Sequence, residues 1–268
     1  MIQAAISGSN GFIGQHLMKR LKQAEINPVP ILRNYLFDIK LLNQFLYEKK
    51  IDYIIHLAAY GNHYNQQEDF KTIFSNIMGL ANLLEASKGI EYKGFINFSS
   101  SSAGLSYETL YSATKGSGER IAKAFVNKYD KPIVSVRPFT VIGKGDNPDH
   151  LISKLINSCI EGNHIQFIPH PVHDYIGVSD FCDAILLIME QINELKGETI
   201  DIGTGTQTSN QEILEIVESL TDKPANVNIV EEMRTYDTDK WVANPSRIIQ
   251  LGWRQNQTIR QIIKEIIG

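Results

Sequence analysis

The chain has 268 residues, enough for one large α/β domain or a domain with a small lobe. Its 21% charged residues and net charge of −4 come without a long basic run, which argues against nucleic acid as the main partner. The two cysteines, Cys159 and Cys182, form neither a metal-spaced pair nor a disulfide framework, so no metal site is expected and a reducing cytoplasm fits. The chain starts almost at once with a strand, which leaves no room for a signal peptide, and no apolar run reaches the roughly 20 residues of a membrane span, so no membrane association is expected.

In chain order, the apolar stretch Ile2–Ser7 reads as a strand and Phe12–Ala24 as the helix after it. Between them runs Gly8-Ser9-Asn10-Gly11-Phe12-Ile13-Gly14, with glycines at the spacing Gly-x-x-Gly-x-x-Gly. Glycines there permit a tight turn and a close approach of backbone to phosphate, and the N–H groups of a helix start face the anion. Pro28–Leu32 reads as a second strand weakened by Pro28 and Pro30. Arg33 follows it where a carboxylate would accept from a ribose 2′-hydroxyl, and arginine suits a 2′-phosphate. Arg33 is thus either an NADP(H) selector or a solvated surface residue. Asp38 accepts from an adenine amino group or caps the helix Leu41–Lys49.

Tyr53–Leu57 is a fully apolar strand, and Thr72–Lys88 a long helix with Ile73, Ile77, Leu80 and Leu84 at helical spacing. Phe95–Phe98 is a strand, Tyr111–Lys128 a helix, and Ile133–Val136 a strand. The alternation predicts an α/β fold of Rossmann type, a doubly wound parallel sheet that binds ligands at the carboxyl ends of its strands. Past Gly143 the pattern loosens. Leu151–Glu161, Asp180–Gln191, Gln211–Leu220 and Thr258–Ile267 read as helices and Glu198–Ile202 as a strand. Residues 1–143, completed by about 174–203, form the expected dinucleotide-binding domain. Residues 144–173 and 204–268 form the expected small substrate-binding lobe.

The chemistry sits in Tyr111-Ser112-Ala113-Thr114-Lys115 and in the serine run Ser99 to Ser102. Four residues apart on a helix, Tyr111 and Lys115 share a face. A nearby ammonium favours phenolate and would lower the tyrosine pKa from about 10 towards neutrality. One serine hydroxyl could hydrogen-bond the reacting oxygen. Such a set moves a hydride and a proton at a carbinol carbon with a nicotinamide cofactor.

These motifs resemble the extended short-chain dehydrogenase/reductases of the nucleotide-sugar epimerase/dehydratase/reductase type. The resemblance runs through Gly8–Gly14, His56-Leu57-Ala58-Ala59, Asn76 with Gly79, Asn82–Ala86, Phe98-Ser99-Ser100, Tyr111–Lys115 with Glu119, and Arg137–Gly143. It continues in His173–Asp180, Asn244–Arg247 and Leu251-Gly252-Trp253. It implies a catalytic set of Ser100, with Ser101 the competitor, Tyr111 as acid/base, and Lys115 on the nicotinamide ribose. It implies a cofactor held by Gly8, Asn10, Gly11, Phe12, Ile13, Gly14, Arg33, Asp38, Leu57, Ala58, Ala59, Tyr111, Lys115 and Pro138. For the substrate it implies Ser101, Thr140, His173 and Arg234, the last at the spacing of a diphosphate-binding arginine.

Three departures touch the substrate side. Ser100 and Tyr111 stand only 11 positions apart, Thr140 replaces a usual asparagine, and His173 a usual arginine. The expected activity is NADP(H)-dependent reduction of a nucleotide-linked keto-deoxysugar. NAD(H) is possible as cofactor, and the alternatives are an NAD-dependent 4-epimerase and a non-catalytic NADP(H)-binding regulator. No carboxylate follows Ser100, which disfavours a dehydratase. The resemblance also implies a homodimer built on the helices Thr72–Lys88 and Tyr111–Lys128.

Overall fold

The computed structural model describes residues 1–62, 65–232 and 238–268. The elements are β1 (Ile2–Ser7), α1 (Phe12–Gln23), β2 (Ile26–Ile31), α2 (Arg33–Leu36), α3 (Ile39–Glu48), β3 (Tyr53–His56), α4 (Asp69–Ile73), α5 (Gly79–Ser87), β4 (Gly94–Phe98), α6 (Leu110–Tyr129) and β5 (Ile133–Pro138). They continue with β6 (Thr140–Ile142), α7 (Leu151–Glu161), β7 (Ile165–Phe167), β8 (Val172–His173), β9 (Tyr175–Gly177), α8 (Val178–Glu190), β10 (Thr199–Ile202), β11 (Thr208–Ser209), α9 (Asn210–Thr221), β12 (Val227–Ile229), α10 (Ser246–Gln250) and α11 (Ile259–Ile267).

Six strands form one parallel sheet in the order β10-β5-β4-β3-β1-β2. Alternate residues of a strand serve opposite faces. Ala4 and Ile6 of β1 join a core with Leu17, Leu21, Phe181 and Ile185, while Ala5 joins one with Leu42, Leu46, Leu80 and Leu83. Helices therefore cover both faces, as the apolar strands require. A third core, around Leu155, Phe167, Ile213, Val217 and Ile263, belongs to α7, β7, α9 and α11. From β1 the chain steps out to β2 and then returns across β1 to β3. The crevice between β1 and β3 is thus the point where the winding reverses, and ligands bind there in such sheets.

Three differences from the sequence reading have physical causes. The predicted helix 72–88 begins at Asp69 and contains a π turn, Phe74–Met78, between α4 and α5. Asn76 in that turn is buried and grips Tyr60: its Oδ1 accepts the Tyr60 N–H at 2.8 Å and its Nδ2 donates to the Tyr60 carbonyl at 2.9 Å. The wider turn shifts the helix register, so Leu80 and Leu84 are buried while Ile73 stays 46% exposed. The second strand covers Ile26–Ile31 and lies at the sheet edge, where its two prolines are tolerated. The pairs β6–β9, β7–β12 and β8–β11 went unpredicted because strands of two or three residues carry no readable period.

Candidate functional site

Gly8 leaves β1 with φ +74°, a conformation that costs little only for glycine. A Cβ there would stand 2.7 Å from the Ala58 nitrogen, and one on Gly14 would stand 2.3 Å from the Gly8 carbonyl oxygen. The turn closes so tightly that no side chain fits inside it. The Gly11 N–H bonds the Gly8 carbonyl at 3.1 Å, and the first helical bond of α1 is Gln15 N–H to Gly11. The N–H groups of Phe12, Ile13 and Gly14 therefore have no partner in the helix, whose first turn carries no acidic side chain. That donor set and the closed turn fit a pyrophosphate.

The turn opens onto a cavity of about 630 Å³, lined also by Leu57, Ala59, Ser99–Ser102, Tyr111, Lys115, Pro138, Phe139, Thr140, His173 and Trp241. The end of β3 is pinned to the end of β1. The fully buried Ser7 hydroxyl lies 2.7 Å from His56 Nδ1 and accepts the Ala58 N–H at 3.2 Å. Burial, then the charge of Lys115, pushes the His56 imidazole down to about 3, so it is neutral. Asn76 also donates to Thr114 Oγ1 at 2.9 Å, which ties the segment after β3 to α6 one turn from Tyr111.

The helix α6 starts with a capping box in which Thr109 and Ser112 satisfy one another's backbone. Its first turns bring Tyr111 and Lys115 to the cavity, with Lys115 buried. Of the four serines, Ser100 is the one whose hydroxyl acts on the Tyr111 phenol, and it sits 2.8 Å from Ser102 Oγ. Ser99 turns to Glu119, and Ser101 accepts from Trp241. The two competing serines thus differ: Ser101 is engaged by Trp241, and Ser100 is the one that acts on the phenol. Burial pushes the Tyr111 phenol up to about 12, against the pull of the Ser100 hydrogen bond. This corrects the expectation of a phenol lowered by Lys115: burial moves it the other way, and Ser100 rather than the ammonium opposes the rise. The result is a group that holds its proton at neutral pH. Lys115 itself is pushed down to about 8 by burial, with Glu119 acting in the opposite direction.

On the far side of the cavity, β6 carries Thr140 and pairs with β9, and its Thr140 N–H bonds the Asp174 carbonyl at 2.9 Å. The buried Asp174 carboxylate accepts from Thr204, Gly205 and Ala243 at 2.8–3.1 Å, which anchors the β10 exit and the loop after residue 238 to His173's strand pair. That loop delivers Trp241. Its indole N–H donates to Ser101 Oγ at 3.0 Å, its backbone N–H to Gln207 Oε1 at 2.8 Å, and its ring meets His173 with centroids 4.8 Å apart.

Of the sequence-predicted residues, Gly8, Asn10–Gly14, Leu57, Ala59, Ser100, Ser101, Tyr111, Lys115, Pro138, Thr140 and His173 come together around the cavity. Ala58 lies behind the Gly8 turn. Arg33 is exposed at the start of α2, and Asp38 caps α3 by accepting from the Lys40 and Leu41 N–H groups at 3.0 and 3.1 Å. Neither lines the cavity. Arg234 lies outside the described residues. Sequence reasoning missed Trp241, Phe139 and the pair Asp146–His150, whose atoms stand 3.0 Å apart at the cavity rim. A tryptophan in an otherwise polar loop was the one signal available.

Among the described residues no group of three or more histidine, cysteine or acidic side chains is placed to hold a metal, and no helix is long and apolar enough to cross a membrane. The family model of the NAD-dependent epimerase/dehydratase family matches residues 4–203. CDP-abequose synthase of Salmonella typhimurium is 27% identical, over 98% of this chain and 96% of its own. GDP-6-deoxy-D-talose 4-dehydrogenase of Aggregatibacter actinomycetemcomitans is 25% identical, over 97% and 95%. The structure of UDP-glucose 4-epimerase of Thermotoga maritima with UDP-glucose shares the fold with a TM-score of 0.90 at 21% identity, covering 99% of this chain and 97% of that one. With a pyrophosphate-fitting turn, a Ser-Tyr-Lys cavity and a family match over three quarters of its length, the chain is an enzyme of the NAD-dependent epimerase/dehydratase family.

Proposed function

We propose that the chain reduces the keto carbon of a nucleotide-linked keto-deoxysugar, with NADP(H) as the preferred cofactor. The observation that supports this most is the convergence of Tyr111, Ser100 and Lys115 on the cavity that holds the phosphate-fitting turn, with a phenol that keeps its proton. When bound, the nicotinamide supplies the hydride for the carbonyl carbon. Tyr111 gives its proton to the carbonyl oxygen, and Ser100 orients that oxygen by a hydrogen bond. Lys115 holds the ribose beside the site and favours the phenolate that remains, which then regains a proton from water. Among the described residues that line the cavity, Asp146 is the only carboxylate and it faces His150, which speaks against elimination chemistry.

Gly8–Gly14, Leu57–Ala59 and Pro138 hold the cofactor in this reading. Arg33 takes the 2′-phosphate: it stands exposed just past the carboxyl end of β2, its side chain without a hydrogen bond or ion pair among the described residues. Residues 1–143 with about 174–203 form the cofactor part, and 144–173 with 204–268 the lobe that takes the sugar nucleotide. Thr140 and His173 face the substrate there, and Arg234, outside the described residues, is assigned to its diphosphate in this reading. The homodimer on the α4–α5 and α6 helices, and the cytoplasm, belong to the same reading.

The test is turnover of a panel of nucleotide-linked 4-keto-6-deoxyhexoses with NADPH. Tyr111→Phe is expected to lower kcat by about 10²–10⁴-fold with cofactor binding unchanged. Wild-type turnover by Tyr111→Phe would refute the assignment. Co-purified NAD, with interconversion of C4 epimers and no net reduction, would replace reductase by epimerase. Arg234→Ala should raise KM for the sugar nucleotide and spare the cofactor Kd. Good turnover of a phosphate-free ketone, indifferent to Arg234→Ala, would remove the nucleotide from the reading.

A further inference from the structure

Tyr111, Lys115 and Glu119 follow one another at four-residue spacing on one face of α6. The first two line the cavity and Glu119 does not. Its carboxylate is nevertheless fully engaged. Oε1 accepts the Ser99 hydroxyl at 2.5 Å and Arg137 Nε at 2.7 Å, and Oε2 accepts Arg137 Nη2 at 2.8 Å. The Glu119 side chain is only 11% exposed. The partners come from two further elements. Ser99 follows β4 and precedes Ser100, and Arg137 lies in β5 beside Pro138. A bidentate pair with a third donor fixes the carboxylate in position and orientation.

An ammonium as buried as Lys115 is unfavourable unless an opposite charge stands near it. On its own helix the titratable groups beside it are Tyr111, which is protonated, and Glu119. From β3 it meets the neutral His56, and from the end of β4 the Ser99 hydroxyl, 3.4 Å from the Lys115 carbonyl. Beyond Glu119 stands Arg137 of β5, and Asp201 of β10 interacts with both. Glu119 is the one carboxylate of this set on the Lys115 face of α6.

We propose that Glu119, fixed by Arg137 and Ser99, is a positioning residue for Lys115: its carboxylate is the counter-charge that holds the ammonium in the cavity wall. The inference rests on Lys115 serving the cofactor site and is independent of which sugar is reduced. The downward push on Lys115 from burial, opposed by Glu119, agrees with it. Arg137 has a double effect, because it anchors Glu119 and also shares its charge. Removal of the two partners must therefore move the Lys115 titration in opposite directions, which a merely structural ion pair would not do.

The experiment is pH-dependent acylation of the full chain with acetic anhydride, with mass spectrometry of the Lys115 peptide to give the midpoint of its titration. Neither cofactor nor sugar is needed, so this outcome is separable from that of the turnover panel. Glu119→Gln is expected to lower the midpoint by about one pH unit, a tenfold loss of proton affinity. Arg137→Gln should raise it by less, and Arg137→Lys should leave it at the wild-type value. The pH dependence of nicotinamide cofactor Kd should shift in the same order. An unmoved midpoint in Glu119→Gln, or shifts of one sign in both neutralised variants, would overturn the proposal. If Glu119→Gln does not fold, Glu119→Gln/Arg137→Gln leaves no unpaired charge. Its midpoint should lie below wild type, and an unmoved one there overturns the proposal equally.

Discussion

On the side of Gly8–Gly14 the cavity wall is main chain, closed against the Ala58 nitrogen with no room for a Cβ at Gly8 or Gly14. On the side of Trp241 it is side chain, an indole held by one serine hydroxyl and leaning on one imidazole. The two walls differ in what they can become. A backbone wall recognises groups common to every dinucleotide and tolerates almost no substitution. A side-chain wall can be re-cut one residue at a time, so the substrate side is where relatives on one fold can diverge.

The sharpest way to break this contrast is Gly14→Ala. The added Cβ meets a backbone oxygen of the same turn, which cannot yield without moving the turn. Overpacking of this kind costs about 1–3 kcal/mol, or about five- to 150-fold in cofactor Kd. Fluorescence titration with NADPH and a thermal melt would read it, and wild-type affinity would show that the wall is softer than described. Arg33→Ala comes next. Loss of a charge-assisted phosphate contact of about 1.5–3 kcal/mol should weaken NADPH by about tenfold to over a hundredfold while NADH changes little. Equal losses for both cofactors would remove Arg33 from the 2′-phosphate. The smallest effect is expected for Trp241→Phe, which keeps a ring but loses the bond to Ser101. About 0.5–1.5 kcal/mol corresponds to a two- to tenfold rise in KM for the sugar nucleotide, with the cofactor Kd unmoved. A shift in cofactor Kd as large as that in KM would mean that the walls are coupled.

The same contrast explains what the sequence could disclose. Glycines at fixed spacing, an apolar strand before them and a Tyr-x-x-x-Lys helix are local patterns, and the parallel sheet and the Ser100–Tyr111–Lys115 grouping follow from them. Trp241 reaches Ser101 across 140 positions, and no local pattern announces a contact of that range. The Tyr111 pKa was misjudged for a related reason. Proximity of the lysine is visible in the spacing, whereas burial of the phenol is a property of the folded cavity. The π turn was hidden too, since its cause is a side-chain grip between Asn76 and Tyr60. Arg33 and Asp38 were both readable as alternatives, and for Asp38 the capping alternative is realised.

The prolines of β2 have a consequence for how this molecule meets others. Strand β2 forms one margin of the sheet, and its register runs Ala4 against Pro28 and Ile6 against Pro30. Proline has no N–H, so a foreign strand laid along that margin would find no donor at residues 28 and 30. Open sheet margins are the usual templates for intermolecular β-pairing and fibril growth, and proline is one of the devices that blunt them. The two residues that made this strand hard to read in the sequence are also those that keep its outer margin from recruiting another chain.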